Sequence, residues 1–360
     1  GTFGLITVDN GRDHTRPSTF GPSGLESLGQ AIDEAMATPG IVGIGVTGKP
    51  FIFAVGADLS AIGVVNDPNI IESFARLGHD VFRKLGECAI PTFAFVNGAA
   101  MGGGLELALH CRYRTLDATA AGLSLPEVFL GLVPGWGGAW LLPNLIGPQR
   151  ALDVIINNSM NQNKQLRPKQ ALDLGIVDAL FDAQDFLEQS LQWADDVIAG
   201  RVEVPRAEVD QDSWDQVVDA YRAGVEARIH GATPAPYRAL DLVQAAKTRT
   251  RDEGFAAEDA ALTELVMGDD LRASLYSFDL VQKRAKRPVG VPDKELARPV
   301  TKVGIVGAGL MASQLAMLFV RRLQVPVVMS DLDQERVDAG VARVHADIDA
   351  LADKSRINSD

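Results

Sequence analysis

Between Gly4 and about Leu180, short β-rich runs alternate with helical stretches, and no other feature so restricts the folds open to this chain. Residues 5–8, 41–47 and 92–96 are dense in β-branched and aromatic side chains, whereas 25–36 and 70–85 carry apolar residues at helical spacing. Pro50 and Pro91 mark strand entries, and a further helix runs through Glu106 to His110. Strands and helices in alternation predict an α/β layered unit. Gly and Pro are dense between Gly131 and Gly147, where a loop is expected. Beyond about Asp182 the β signal fades and helical periodicity takes over in 186–198, 214–229, 239–248 and 258–266.

The run Lys283-Arg284-Ala285-Lys286-Arg287, followed by Pro288-Val289-Gly290-Val291-Pro292, reads as a helix end that suits the helix dipole and then a linker. From Lys302 a new unit opens with Val303-Gly304-Ile305-Val306. It has room for two strands and two helices before Asp360, too little for an independent nucleotide-binding domain, so a longer parent protein is expected. The start at Gly1 instead of Met points the same way.

A length of 360 residues exceeds the usual single domain. With 34 basic against 47 acidic residues the net charge is −13, which argues against nucleic acid as a partner. The two cysteines, Cys88 and Cys111, both fall in apolar segments, as expected in a reducing, cytoplasmic setting. No apolar stretch approaches the roughly 20 residues that span a bilayer. No His or Cys cluster has metal-ligand spacing, so no metal is expected.

Two acids stand out. Glu106 closes the run Asn97-Gly98-Ala99-Ala100-Met101-Gly102-Gly103-Gly104-Leu105-Glu106-Leu107-Ala108-Leu109, and Glu127 lies between Leu123-Ser124-Leu125-Pro126 and Val128-Phe129-Leu130-Gly131. A carboxylate buried in apolar surroundings raises its pKa, which suits proton transfer near neutrality. Glycines that open a helix leave bare N–H groups at its positive end, and Gly56-Ala57-Asp58-Leu59 forms a second turn where an N–H can face a cleft. Two such donors on one carbonyl would stabilise an enolate by roughly 3 kcal/mol each.

These segments, with Pro126-Glu127 and Gly131-Leu132-Val133-Pro134-Gly135-Trp136-Gly137-Gly138 in the same order, resemble the crotonase, or enoyl-CoA hydratase/isomerase, superfamily. The resemblance implies that the N–H groups of Ala57 and Gly103 form an oxyanion hole. It also implies that Glu106 and Glu127 activate water at C3 and deliver a proton at C2. Gly56, Asp58, Leu59, Gly102, Pro134, Gly135 and Trp136 would line the substrate. Members with only the second glutamate tend to be isomerases, so the pair implies hydration. The chain departs from the family where Gly138 continues into Ala139-Trp140-Leu141-Leu142 in place of a polar stretch, and at Asn10-Gly11-Arg12-Asp13-His14.

Gly307-Ala308-Gly309-Leu310-Met311-Ala312 follows a β-rich run and opens an apolar helix, the context of a dinucleotide fingerprint, and Asp331 falls about 20 residues after Gly309, where an acid accepts the ribose hydroxyls of NAD. The segment resembles the start of the L-3-hydroxyacyl-CoA dehydrogenase family, and Gly307, Gly309, Ala312 and Asp331 would hold the cofactor. That family's His–Glu pair has no counterpart in this chain. His14, His79, His110, His230 and His345 are each expected in a surface or core role.

As a whole the chain resembles the N-terminal half of multifunctional fatty acid β-oxidation α-subunits. The expected fold is α/β. A crotonase-like ββα spiral occupies 1–185, a helical extension 186–275, a linker helix and linker 276–300, and a truncated Rossmann-like βαβ unit 301–360. The expected reaction is syn hydration of 2-enoyl-CoA to 3-hydroxyacyl-CoA. Rival readings are a Δ3-Δ2 enoyl-CoA isomerase and a non-catalytic acyl-CoA-binding or assembly subunit. The resemblance further implies a thiolase β-subunit and a homo-oligomer as partners.

Overall fold

The computed structural model describes residues 1–13, 16–59, 62, 65–285 and 290–353; His14, Lys286, Arg287, Pro288 and Val289 lie outside these. The chain divides into two compact units, Gly1–Lys286 and Arg287–Asp360.

In the first unit, strands β1 (Thr2–Val8), β2 (Ile41–Gly48), β3 (Phe51–Ala54), β4 (Thr92–Val96), β5 (Gly98–Met101), β6 (Tyr113–Asp117), β7 (Leu123–Ser124) and β8 (Ala179–Phe181) build two parallel sheets. One has the order β1-β2-β4-β6-β8 and the other β3-β5-β7. From β2 onward, successive strands therefore alternate between the sheets. With α1 (Pro22–Ala37), α2 (Pro68–Glu87) and α3 (Gly103–His110) between them, the chain winds as a ββα spiral, as expected.

The pleat explains why β4 is buried throughout. Ala94 and Val96 face the main core, which includes Leu25, Ile44, Phe82 and Leu105. Phe93 and Phe95 face the other way, onto Phe186 and Trp193 of α7 (Phe186–Ile198). The strand exits are tied together by Asn97, whose Nδ2 donates to Gly48 O (3.0 Å) and Lys49 O (2.8 Å). The Asn10–Asp13 segment is gathered by the buried Lys49 ammonium, which donates to Asn10 Oδ1 (2.6 Å) and to the carbonyls of Arg12 and Asp13.

The stretch expected as a loop between Gly131 and Gly147 contains a helix, α4 (Gly138–Ile146), with Pro143 inside it. Glycine and proline density is a local signal, and here tertiary burial overrides it: Ala139, Leu142, Pro143 and Ile146 all enter the core. Then come α5 (Pro148–Leu152), α6 (Pro168–Leu174), α7, α8 (Trp214–Ile229), α9 (Ala235–Ala246), α10 (Arg251–Met267) and α11 (Asp269–Asp279). Apart from α7, these late helices share the main core, with Trp214, Leu240 and Val243 fully buried in it. α10 starts at a capping box formed by Thr250 and Glu253 and packs along α2.

The second unit comprises β9 (Val303–Val306), α12 (Leu310–Leu323), β10 (Val327–Ser330) and α13 (Gln334–Asp353), with β10 parallel to β9. Two strands and two helices match the expectation for 301–360.

Candidate active site

A cavity of about 310 Å³ opens where the turn after β3, the start of α3 and the 3₁₀ turn Glu127–Leu130 converge. Gly56, Ala57, Asp58, Leu59, Gly102, Gly103, Glu106, Glu127, Gly135 and Trp136 all line it. Pro134 does not. It is buried behind the lining, beside Gly138, because the chain turns there to start α4. The rest of the wall is mostly apolar, with Ile62, Val65, Ile71, Phe74, Leu132 and Leu262 among its residues.

The two amides meet by close backbone approach. Phe20 N donates to Gly56 O (2.8 Å) and Asp58 N to Phe20 O (2.9 Å), so this bridge consumes the groups on either side of Ala57 N–H and leaves that donor free. Gly103 is the first residue of α3, where an N–H has no acceptor within the helix. Among the described residues neither amide has a protein acceptor. A methyl group on Gly56 would stand only 3.1 Å from Gly103 N. Gly102 precedes at φ 53°, and a Cβ there would lie 2.7 Å from Glu127 Oε1, so glycine is required on both counts.

Glu106 is 2% exposed. Its Oε1 accepts from Trp136 N and Gly138 N, both at 2.8 Å, which leaves Oε2 for the cavity. Burial and then the nearby Glu258 carboxylate push its pKa up to about 7, against the two amide bonds and His79, which lower it. Glu127 Oε2 is buried with no hydrogen-bond partner among the described residues. Burial, reinforced by the charge of Glu106, holds Glu127 well above the usual carboxylate range. The titration of Glu127 therefore depends on the charge state of Glu106. The Trp136 ring, edge-on to Phe20, Phe74 and Phe82, closes one side of the site.

Three further polar residues gather behind this site. Glu258 of α10, 1% exposed, accepts from Gly137 N (2.6 Å, Oε2) and Trp140 N (2.8 Å, Oε1). His79 of α2 lies between Glu258 Oε2 (3.2 Å from Nε2) and Asp259 Oδ1 (2.9 Å from Nδ1). Burial pulls the His79 pKa down, but Asp259 and Glu258 lift it further, to about 9. Sequence reasoning assigned His79 a surface or core role and passed over Glu258 and Asp259. The signal that marked Glu106 was present there too, an acid pair within Phe255-Ala256-Ala257-Glu258-Asp259-Ala260-Ala261. His110, which donates from Nε2 to Trp136 O (2.9 Å), is pushed down to about 3 by burial and is neutral.

In the second unit Gly307, at φ 106°, donates its N–H to Ser330 O (2.6 Å). Asp331 accepts from Ala308 N (2.6 Å) and Leu332 N (2.7 Å), and these amides hold its pKa low. Gly309 caps α12 with no atom crowding its Cα, and Ala312 lies in the first turn. Gly307, Gly309, Ala312 and Asp331 thus form one patch at the head of α12. Among the described residues no group of three or more His, Cys, Asp or Glu could hold a metal ion, and no helix is long and apolar enough to cross a membrane.

Residues 302–360 match the 3-hydroxyacyl-CoA dehydrogenase NAD-binding domain family. The fatty acid oxidation complex subunit alpha of Shewanella halifaxensis (strain HAW-EB4) is 31% identical over 349 residues, covering 93% of this chain and 47% of that protein. The protein of the same name from Shewanella frigidimarina (strain NCIMB 400) is 30% identical, covering 92% and 48%. The chain spans about half the length of the curated relatives it matches. Among solved structures, an enoyl-CoA hydratase from Bacillus halodurans superposes with a TM-score of 0.56 at 17% identity, over 76% of this chain and 95% of that one. The human mitochondrial delta3-delta2-enoyl-CoA isomerase gives 0.54 at 21%, over 79% and 95%. At these identities the two structures establish the fold alone. The enoyl-CoA hydratase/isomerase family itself matches residues 13–208, more than half of the sequence, and the chain belongs to that family.

Proposed function

We propose that the first unit hydrates 2-enoyl-CoA thioesters to 3-hydroxyacyl-CoA. The observation that carries this reading is that Glu106 and Glu127, both with raised proton affinity, share one largely apolar cavity with the free N–H groups of Ala57 and Gly103. The thioester carbonyl accepts from both amides. Glu106, close to half ionised at neutral pH, takes a proton from water as its oxygen bonds to C3, and the π electrons move onto the thioester oxygen. Glu127, whose proton affinity is raised by burial, delivers its proton to C2. Proton exchange with solvent resets the pair. Gly56, Asp58, Leu59, Gly102, Gly135 and Trp136 shape the wall around the reacting carbons, with Pro134 behind them.

Double-bond isomerisation needs one shuttling base, Glu127. The two amides fixed on Glu106 Oε1 are a feature that such a base alone does not require, and they favour hydration. In the second unit the uncrowded Gly309, the positive φ of Gly307 and the amide-anchored Asp331 fit a dinucleotide. NAD held there would accept hydride from a 3-hydroxyacyl group. The domain limits, a thiolase β-subunit partner, a homo-oligomer and a cytoplasmic setting belong to the same reading.

Loss of the ultraviolet absorbance of a conjugated enoyl thioester tests it. Hydration by the wild type, with a drop of about 10³-fold in both Glu106→Gln and Glu127→Gln, is expected. No hydration by the wild type refutes the reading, and loss in Glu127→Gln alone replaces it with isomerisation.

A further inference from the structure

The loop that enters α4 is gripped from both sides by carboxylates. Trp136 N and Gly138 N point to Glu106, whereas Gly137 N and Trp140 N point to Glu258. Gly137 adopts φ 107°, which turns its amide away from those of its two neighbours. Glu258 cannot swing, since His79 holds its Oε2 and Asp259 holds the other side of the same imidazole. Phe255 stacks on that ring at 4.4 Å between centroids. α2 and α10 thus fix a charged cluster whose backbone contacts in the site, among the described residues, are amides of this loop.

We propose that Glu258, braced by His79 and Asp259, is a positioning residue for Glu106. By holding the Gly137 and Trp140 amides it forces those of Trp136 and Gly138 onto Glu106 Oε1, which aims Oε2 at the substrate. Buried carboxylates need hydrogen bonds, and four consecutive-range amides shared between two acids satisfy both while leaving Glu106 one free oxygen. A bare packing role for Glu258 would be met by an apolar side chain, which often replaces a buried ion pair at no loss of stability. The loop geometry would then have nothing to hold its two outward amides. The proposal rests on Glu106 acting as the base of hydration.

Hydration of crotonyl-CoA and binding of butyryl-CoA by the full chain test it. Glu258→Asp keeps the charge but not the reach to both amides, so kcat should fall about 10- to 100-fold while KM and butyryl-CoA affinity change less than about twofold. Glu258→Gln, which keeps the reach and one acceptor oxygen, should recover part of that kcat. Asp259→Asn touches neither the loop nor Glu106 and serves if the Glu258 variants do not fold; it should lower kcat about threefold with the same unchanged KM. Wild-type kcat in folded variants overturns the positioning role and leaves the hydratase reading intact, as does a parallel loss of kcat and affinity, which would mark a purely structural residue. A wild type that does not hydrate crotonyl-CoA sinks the reading of Glu106 and this proposal with it.

Discussion

Two glycine-rich turns open helices in this chain, and each brings an acid that accepts two backbone amides. Before α3, Gly102-Gly103 leads to Glu106, bonded to Trp136 N and Gly138 N. Before α12, Gly307-Ala308-Gly309 meets Asp331, bonded to Ala308 N and Leu332 N. The hydrogen bonding is alike, yet the Glu106 pKa rises to about 7 and that of Asp331 falls. Burial is the difference. Two amides win where the carboxylate is only partly buried and still meets water, and lose in a core, where desolvation and a second buried acid oppose them. One turn yields an acid that can exchange protons near neutrality, the other a fixed anion.

Paired glycine substitutions give the largest effect with which to break this comparison. Gly102→Ala puts a methyl group 2.7 Å from Glu127 Oε1 on a backbone with φ 53°, whereas Gly309→Ala meets open space at φ −73°. The first should lower kcat/KM for enoyl-CoA hydration about 100-fold and the second should leave it within about twofold. Equal effects in a steady-state assay would mean that the two turns do not differ in the way their packing indicates.

The acids themselves give a smaller, oppositely signed pair. Glu106 binds its proton more tightly folded than unfolded, so its contribution to stability is full below about pH 4.5 and is lost as pH rises towards about 7. Glu106→Gln should therefore be more stable than wild type at pH 8, by about 3 kcal/mol, and should lose that advantage near pH 4. Asp331, with a lowered pKa, contributes above the ordinary aspartate pKa and loses the contribution on acidification. Denaturant titrations at both pH values read the signs. A Glu106→Gln variant less stable than wild type at pH 8 would show that the amide bonds, not burial, dominate there.

Much of the first turn is legible in the sequence, because acid, glycine and apolar neighbours lie within one short window. Glu106, Glu127, Ala57 and Gly103 meet at one cavity as their motifs implied, and Phe186–Ile198 and Trp214–Ile229 are helices where periodicity placed them. What escaped was long-range. His79 reaches Glu258 and Asp259 across 179 and 180 residues, and periodicity tells which face of a helix is buried but not which other face it meets. Ile71, Ala75, Gly78, His79 and Phe82 form one buried stripe of α2, so the imidazole was bound for the core; its charge state needed α10. α4 was missed for the converse reason, since Gly137 and Pro143 suggest a loop locally while Leu142 and Ile146 are drawn inward by the core.

Amide exchange at the second turn gives the smallest effect and the sharpest reading of the contrast. If Asp331 anchors the turn only through its two bonds, Asp331→Ala frees the Ala308 and Leu332 amides, and their hydrogen exchange should quicken about tenfold while hydration by the first unit stays unchanged. Asp331→Asn keeps one acceptor oxygen and should protect one of the two. Exchange that stays slow in Asp331→Ala would assign the order of the turn to Gly340, where even a methyl group would come within 2.6 Å of Ala308 O, and so to packing. The two turns would then be alike in resting on close backbone approach, and they would differ only in where their acids sit.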